Sequence, residues 1–210
     1  MFEDKEYYAL TRKVFDLLAP YYEIMTLPLM RVRDQVVDFT NARPGSTILD
    51  VATGTGQQAL AFAKRGFDVI AVDLTESMLA IARKHNIAGL VRFETADATQ
   101  LRFEDHKFEV SCISFALHDM PPRIRDRVLG EMLRVTKRDG MIVIVDHDLP
   151  HNRLGRALIY RLISLYEGKY YRQFISMDLN ELLRKAGIQI VAQVPVLFGA
   201  GRIIKGKVRA

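Results

Sequence analysis

The chain has 210 residues, 49% of them hydrophobic and 26% charged, with a formal net charge of +5, a balance that suits one globular domain with a full core. No apolar run approaches the ~20 residues that span a bilayer, and the acidic opening MFEDKEYYAL lacks the basic-then-apolar order of a secretory signal. The lone cysteine, Cys112, rules out an internal disulfide, so a reducing cytoplasm is the expected compartment.

In chain order, helical spacing occurs twice in the first forty residues, around YYALTRKVFDLLA and LMRVRDQVVDF, with breaks near Pro20 and Pro28. ARPG ends this region, and apolar runs then alternate with helical patterns. STILDVA predicts a strand and Gln57 to Lys64 a helix. FDVIAVD predicts a second strand, followed by a helix from Glu76 with Thr75 as its cap. LVRFETAD and FEVSCISF predict a third and fourth strand, the latter burying Cys112 as a filler rather than a nucleophile. Pro121 and Pro122 open a helix with Ile124, Val128, Met132 and Val135 on one face; KRDG closes it before a fifth strand, MIVIVD. Residues 151–187 read as helical, and IQIVAQVPVLF with RIIKGKV as a terminal antiparallel ribbon. Short strands alternating with helices mean a parallel sheet, because each right-handed crossover returns the chain in the same direction. The expectation is a doubly wound α/β domain over 1–210. It divides into a helical cap (1–44), a ligand-binding core (45–150), a basic amphipathic segment (151–176), and a C-terminal helix with antiparallel strands (177–210).

The basic charge is concentrated in two places. Residues 151–172 carry Arg153, Arg156, Arg161, Lys169 and Arg172 against Glu167, and the tail carries Arg202, Lys205, Lys207 and Arg209. Two patches on an otherwise acidic chain argue against a general nucleic-acid partner.

The run Gly54-Thr55-Gly56-Gln57-Gln58-Ala59, at a strand-to-helix turn, fits the dinucleotide pattern, with Asp73 19 residues after Gly54. Asp50, four residues before Gly54, tips the balance away from NAD, because a carboxylate at the strand end would repel a pyrophosphate. S-adenosylmethionine carries a sulfonium and an ammonium and no phosphate, so it suits that acid. The glycines would let the backbone approach the ligand, Asp73 could take both ribose hydroxyls, and Asp97 could accept from the adenine amino group. Three acids ending three successive strands would form one track along the sheet's carboxyl edge.

ILDVATGTG, VIAVDLTESMLAIAR, FETADATQLRFEDHKFEV and ISFALHDMP together resemble a class I S-adenosylmethionine-dependent methyltransferase. The opening VFDLLAPYYEIMTLPLMR is similar to that of the ubiquinone/menaquinone C-methyltransferases. The resemblance implies a seven-stranded sheet whose last strand is antiparallel. It implies Asp50, Thr53, Gly54 and Gly56 around the methionine end, Asp73, Leu74 and Met78 beside the ribose and adenine, Asp97 and Ala98 on the adenine, and Ser114 beneath the donor. It places His118 near the transferring methyl and Tyr22 in a lid over the cofactor. The chain departs from the quinone enzymes in having His118-Asp119 where an Arg-Asn pair is usual, Tyr22-Glu23 for Tyr-Asp, and no Trp.

Plainer readings stand beside these. Asp119, just before Pro121, reads as a loop residue or helix cap, and His147 as a polar loop residue or an acceptor-side group. DHDLPH has two histidines four apart, but Pro150 intervenes as the chain leaves a strand, so no metal is expected. Leu154, Leu158, Leu162 and Leu165 form a stripe that either packs as a cap helix or meets a membrane surface weakly. The expected function is methyl transfer from S-adenosylmethionine to a small molecule, a quinol-like ring foremost, with His118, His147 and Tyr22 as catalytic candidates. The alternatives are a non-catalytic S-adenosylmethionine-binding module and an NAD-dependent dehydrogenase.

Overall fold

A computed structural model describes residues 2–150, 152–163 and 170–208. Seven strands form one sheet: β1 (Thr47–Val51), β2 (Asp68–Asp73), β3 (Val91–Thr95), β4 (Phe108–Ser114), β5 (Thr136–His147), β6 (Ile188–Val196) and β7 (Gly201–Val208), in the order β3-β2-β1-β4-β5-β7-β6. The pairs from β3 through β5 are parallel, and β7 runs antiparallel to both β5 and β6. The sheet is therefore mixed, with the expected ribbon at its edge. Its central strands are mostly apolar, as in TILDV and DVIAVD, because helices cover both faces and leave no side for alternating polar residues.

Before the sheet come α1 (Phe2–Leu18), α2 (Tyr22–Met25) and α3 (Met30–Thr40), with short 3-10 turns at Pro20 and Pro28. Between the strands lie α4 (Gln57–Ala63), α5 (Glu76–His85) and α6 (Pro122–Val135), and before the ribbon α7 (Arg153–Ile163), α8 (Tyr171–Ser176) and α9 (Leu179–Lys185). On one face, α6, α8 and α9 bury Val128, Leu129, Met132, Phe174 and Leu183 against Leu49, Val72 and Ile144. On the other, α3 and α4 bury Val36, Phe62 and Ala59 against Ile48, Ala71 and Val143. Cys112 is buried in this second core, where burial raises its thiol well above the ordinary value.

Two local expectations change. KRDG does not separate helix from strand: α6 ends at Val135, and β5 begins at Thr136 with an irregular pairing to β4. The Thr136 hydroxyl links both elements, bonding the Met132 carbonyl at 2.5 Å and the Ser111 hydroxyl at 2.7 Å. Thr75 precedes α5 but makes no side-chain capping bond; its hydroxyl is spent on Asp73 instead.

The sheet order reverses between β1 and β4, since the chain builds outward to β3 and then returns. Open α/β sheets hold ligands at the carboxyl ends of strands at such a switch point. The residues just past both strands there, Ala52 (φ 54°) and Phe115 (φ 50°), are held in the left-handed region, a strain of about 1–3 kcal/mol each of the kind that accumulates at functional sites.

Candidate active site

A cleft opens over the carboxyl ends of β1, β2, β3 and β4, and the N-terminal helices form its far wall. Of the residues singled out in the sequence, Thr53, Gly54, Asp73, Leu74, Met78, Asp97, Ala98, Ser114 and Tyr22 all line it.

The glycine loop is held tightly. The Thr53 amide donates to the Val72 carbonyl at 3.0 Å, tying the loop to β2, and the Gly56 amide closes a turn on the Thr53 carbonyl at 3.0 Å. The Gly54 amide donates to Asp73 Oδ2 and the Thr75 amide to Asp73 Oδ1, both at 2.8 Å. Asp73 is thus fixed in orientation at the rim of the cleft. Two loop amides that would cradle a pyrophosphate are already committed, one of them to a carboxylate. Gly54 sits at φ 57°, and a Cβ there would point between Met78 and Tyr22, 3.7 Å from each; the cleft passes through that space.

Asp50 and Gly56 are placed differently from expectation. Asp50 is 1% exposed and lies behind the cleft wall, accepting a 2.5 Å bond from the Thr53 hydroxyl. It can act on a ligand through Thr53 and through its field rather than by contact. Burial pushes its carboxyl up to about 7, with Asp73 adding to the rise, and burial likewise raises Asp73 despite its amide bonds. Gly56, the residue before α4, is at φ 76° with its missing side chain aimed at the Phe93 ring, 2.6 Å from a built Cβ, and at Ala82, 2.9 Å away. Its smallness serves helix-to-sheet packing, not ligand contact.

After β3, Asp97 Oδ1 accepts from the Thr99 amide and hydroxyl, both at 2.8 Å, and the Tyr8 hydroxyl reaches Thr99 at 3.1 Å. The helix carrying Tyr8 is thereby bonded to the loop after β3. Similarly, Glu23 of α2 accepts from Gln57 at the start of α4, at 2.7 Å. Tyr22 stands edge-on to Phe15, ring centroids 6.1 Å apart, inside the cleft, whereas Tyr21 is exposed.

His118 and His147 do not line the cleft, contrary to the expectation that they stand at its mouth. The short helical turn Leu117–Asp119 rolls His118 inward. Its Nδ1 is 2.6 Å from Asp146 Oδ1, its amide donates to Asp146 Oδ2 at 3.2 Å, and its ring meets His147, Tyr171 and Phe174 edge-on. Burial opposes ionisation of Asp146, but His118's charge and hydrogen bond outweigh it and hold the carboxyl below its usual range. His147 lies between Phe115 and Tyr171, ring centroids 5.3 and 5.5 Å away. His151 and Leu165 lie outside the described residues.

Several cleft residues were not read from the sequence: Tyr7, Tyr8, Thr11 and Phe15 of α1, Arg33 of α3, and Met120 after β4; Asp119, read as a loop residue or helix cap at the end of the fourth strand, lines the cleft as well. The signal for α1 was its i, i+4, i+8 face, Tyr7-Thr11-Phe15, indistinguishable from an ordinary buried stripe. Asp119 caps no helix; Pro121 occupies that position.

The chain matches the family model described as methyltransferase domain over residues 48–140. It is 34% identical over 202 residues to a demethylmenaquinone methyltransferase of Streptomyces avermitilis, covering 85% of this chain and 86% of that protein. A demethylmenaquinone methyltransferase of Renibacterium salmoninarum is 37% identical over 143 residues, 65% of this chain, and the chain spans only 58% of that relative's length. Among solved structures, the 1,6-didemethyltoxoflavin-N1-methyltransferase of Burkholderia thailandensis, with bound 1,6-didemethyltoxoflavin and S-adenosylhomocysteine, superposes with a TM-score of 0.75 at 21% identity, over 98% of this chain and 90% of that one. With its mixed seven-stranded sheet and glycine-loop cleft, the chain belongs to the class I S-adenosylmethionine-dependent methyltransferases, in the family of the demethylmenaquinone methyltransferases.

Proposed function

We propose that this chain transfers the methyl group of S-adenosylmethionine to a small, aromatic, quinol-like acceptor. The observation that carries the reading is the pair of carboxylates, Asp50 buried behind the cleft wall and Asp73 lining it, at a glycine loop whose Gly54 amide is already given to Asp73. Such a loop repels a pyrophosphate and favours a cationic ligand, which speaks against the NAD-dependent alternative. Asp73 would take the ribose hydroxyls, Asp97 and Ala98 the adenine, Leu74 and Met78 the faces of the nucleoside, and Thr53, backed by Asp50, the methionine end. Ser114 would lie below the sulfonium. When bound, the donor supplies an electrophilic methyl. The chain's own part is to hold an acceptor in line with it and exclude water, and most of the rate should come from that positioning.

Residues 1–44 would act as a cap, since α1 and α2 wall the cleft and are bonded to its opposite side at Thr99 and Gln57. A cap of this kind, with Tyr7, Phe15 and Tyr22 facing the cleft that Phe115 after β4 also lines, suits an aromatic acceptor. Turnover, rather than a purely regulatory binding role, is supported by this enclosed space beside the donor track and by the enzymes it resembles. The same relatives, named for demethylmenaquinone, make a naphthoquinol the first acceptor to try.

A weak membrane-surface contact fits α7. Leu154 and Leu158 are 87% and 59% exposed beside Arg153, Arg156 and Arg161, so these two leucines do not pack against the domain. Among the described residues no helix is long and apolar enough to cross a membrane. We place the reaction on the cytoplasmic side. The test of the proposal is incubation with methyl-labelled S-adenosylmethionine and 1,4-naphthoquinol under reducing conditions. The expected result is a labelled methylnaphthoquinol with one equivalent of S-adenosylhomocysteine; label found on no acceptor while the donor binds would favour the non-catalytic module.

A further inference from the structure

Behind the acceptor side of the cleft runs a line of three charged groups. Asp146, fully enclosed in β5, holds His118 Nδ1 at 2.6 Å, and His118 Nε2 faces Asp119 Oδ2 at 3.6 Å. The first two side chains are 0% and 4% exposed, whereas that of Asp119 is 33% exposed and lines the cleft next to Met120. With Nδ1 taken by Asp146 and the ring walled by His147, Tyr171 and Phe174, the imidazole's remaining polar edge looks toward Asp119. The turn bearing both residues is clamped from beneath by Arg125, whose side chain is fully buried. Its Nε donates to the Leu117 carbonyl at 3.0 Å and its Nη2 to the Met120 carbonyl at 2.8 Å. These carbonyls bracket His118-Asp119, so the carboxylate is set in place by the backbone on both sides.

We propose that Asp119 is the catalytic carboxylate that takes the acceptor's proton, and that His118 and Asp146 are positioning residues that hold it. This rests on the methyltransferase reading above. A neutral imidazole would turn its Nε2 lone pair toward an ionised Asp119 and repel it; a proton shared on that edge removes the repulsion. In the resting enzyme the imidazolium therefore sits between two carboxylates. As the new carbon–carbon bond forms, the S–CH3 bond breaks with its electron pair going to sulfur. The ring carbon then loses its C–H proton to Asp119, the C–H pair restoring the aromatic ring. Asp119 becomes a neutral acid beside a neutral Asp146–His118 ion pair, and water takes the proton on product release.

The titration of His118 is the readout, and the groups facing it include Asp146 and His147 from β5, Asp119 from its own turn and Tyr171 from α8. Arg125 of α6 acts on Asp146, and Tyr7 of α1 on Asp119. In protein labelled with 15N-histidine, Asp119→Asn and Asp119→Ala should each lower the pH at which His118 loses its cation by about one unit or more, the effect of deleting an opposite charge at this range. S-adenosylmethionine affinity by calorimetry should stay within about 2-fold, while kcat toward 1,4-naphthoquinol falls by about 10²-fold or more. His118→Gln should shift the acid limb of the rate profile without altering donor affinity. An unchanged His118 titration in both Asp119 variants, or full kcat in either, overturns the proposal. A wild-type enzyme that binds the donor but leaves naphthoquinol untouched contradicts the acceptor class instead, and the titration then decides the role of Asp119 by itself.

Discussion

The two halves of the cleft hold charge in opposite ways. Where β1 and β2 end, Asp50 is buried and Asp73 lines the cleft, both with carboxyls pushed upward by desolvation, and Arg33 of α3 offsets the rise at Asp50 only in part. Where β4 and β5 end, Asp146 is as deeply buried, yet it lies below its usual range because His118 neutralises it. The first half carries carboxylates that the protein compensates only in part, and on the function proposed above a cationic ligand would complete it. The second is compensated from within and offers the ligand aromatic and apolar surface with one carboxylate at its edge. A buried carboxylate needs a partner; on the function proposed above the donor would supply it in the first half, whereas the protein supplies it in the second.

The comparison breaks most visibly at Gly54. Replacement by Val puts a branched side chain between Met78 and Tyr22, at a positive φ that a β-branched residue resists. Donor affinity should fall by more than about 100-fold, the order that follows from losing ~3 kcal/mol or more of contact. Near-normal binding in calorimetry would mean the glycine serves only the turn. Gly56→Ala should do the reverse. Its Cβ meets Phe93 and Ala82, so the expected loss is in thermal stability, about 1–3 kcal/mol of overpacking, with donor affinity nearly kept in the protein that remains folded.

Asp73→Ala comes next. Removing a carboxylate that would accept two ribose hydroxyls should weaken the donor by roughly 10- to 100-fold, since a hydrogen bond to a charged group contributes ~1.5–3 kcal/mol. It should leave the His118 titration unmoved. A shift in His118 would show that the halves are electrostatically one site and not two.

The smallest effect concerns Asp50. With its carboxyl at about 7, roughly half the molecules hold a proton there at neutrality, and a cation seated nearby favours the ionised form. Donor binding at pH 7 should release a fraction of a proton, visible as a dependence of calorimetric heat on the buffer's ionisation enthalpy, and Asp50→Asn should abolish it. In the empty protein the sign reverses. The folded value lies above the unfolded ~3.9, so this group's stabilisation is complete below ~4 and is lost as pH rises through about 7. Thermal unfolding of Asp50→Asn should accordingly lose part of the decline between pH 5 and pH 8.

How well each half could be read from the sequence follows from how it is assembled. In the first half, Asp50, Thr53 and Gly54 fall within five residues, Asp73 ends a recognisable strand and Asp97 follows one. Local spacing there encodes the ligand's chemistry directly. Even so, spacing does not say which way a glycine faces, and Gly56 turned out to pack on Phe93, a residue of a different strand. On the acceptor side, Tyr7, Asp119, Arg125 and Asp146 come from α1, a turn, α6 and β5, and they meet only after the sheet has formed. His118 and Asp119 are adjacent, and the sense of one helical turn decides which is swallowed by the core and which faces the cleft. No periodicity in HDMPP carries that information. The strand alternation and the terminal ribbon, by contrast, rest on hydrophobic runs whose pattern survives folding unchanged.

The most direct measurement is a crystal structure of the chain with S-adenosylhomocysteine, the product left after transfer. The account predicts the ribose on Asp73, the adenine at Asp97 and Ala98, the amino-acid end at Thr53 and Gly54, and the sulfur facing open space bounded by Tyr22, Phe115 and Asp119. A ligand lying elsewhere, or one whose sulfur points away from Asp119, would contradict the division of the cleft into a donor half and an acceptor half.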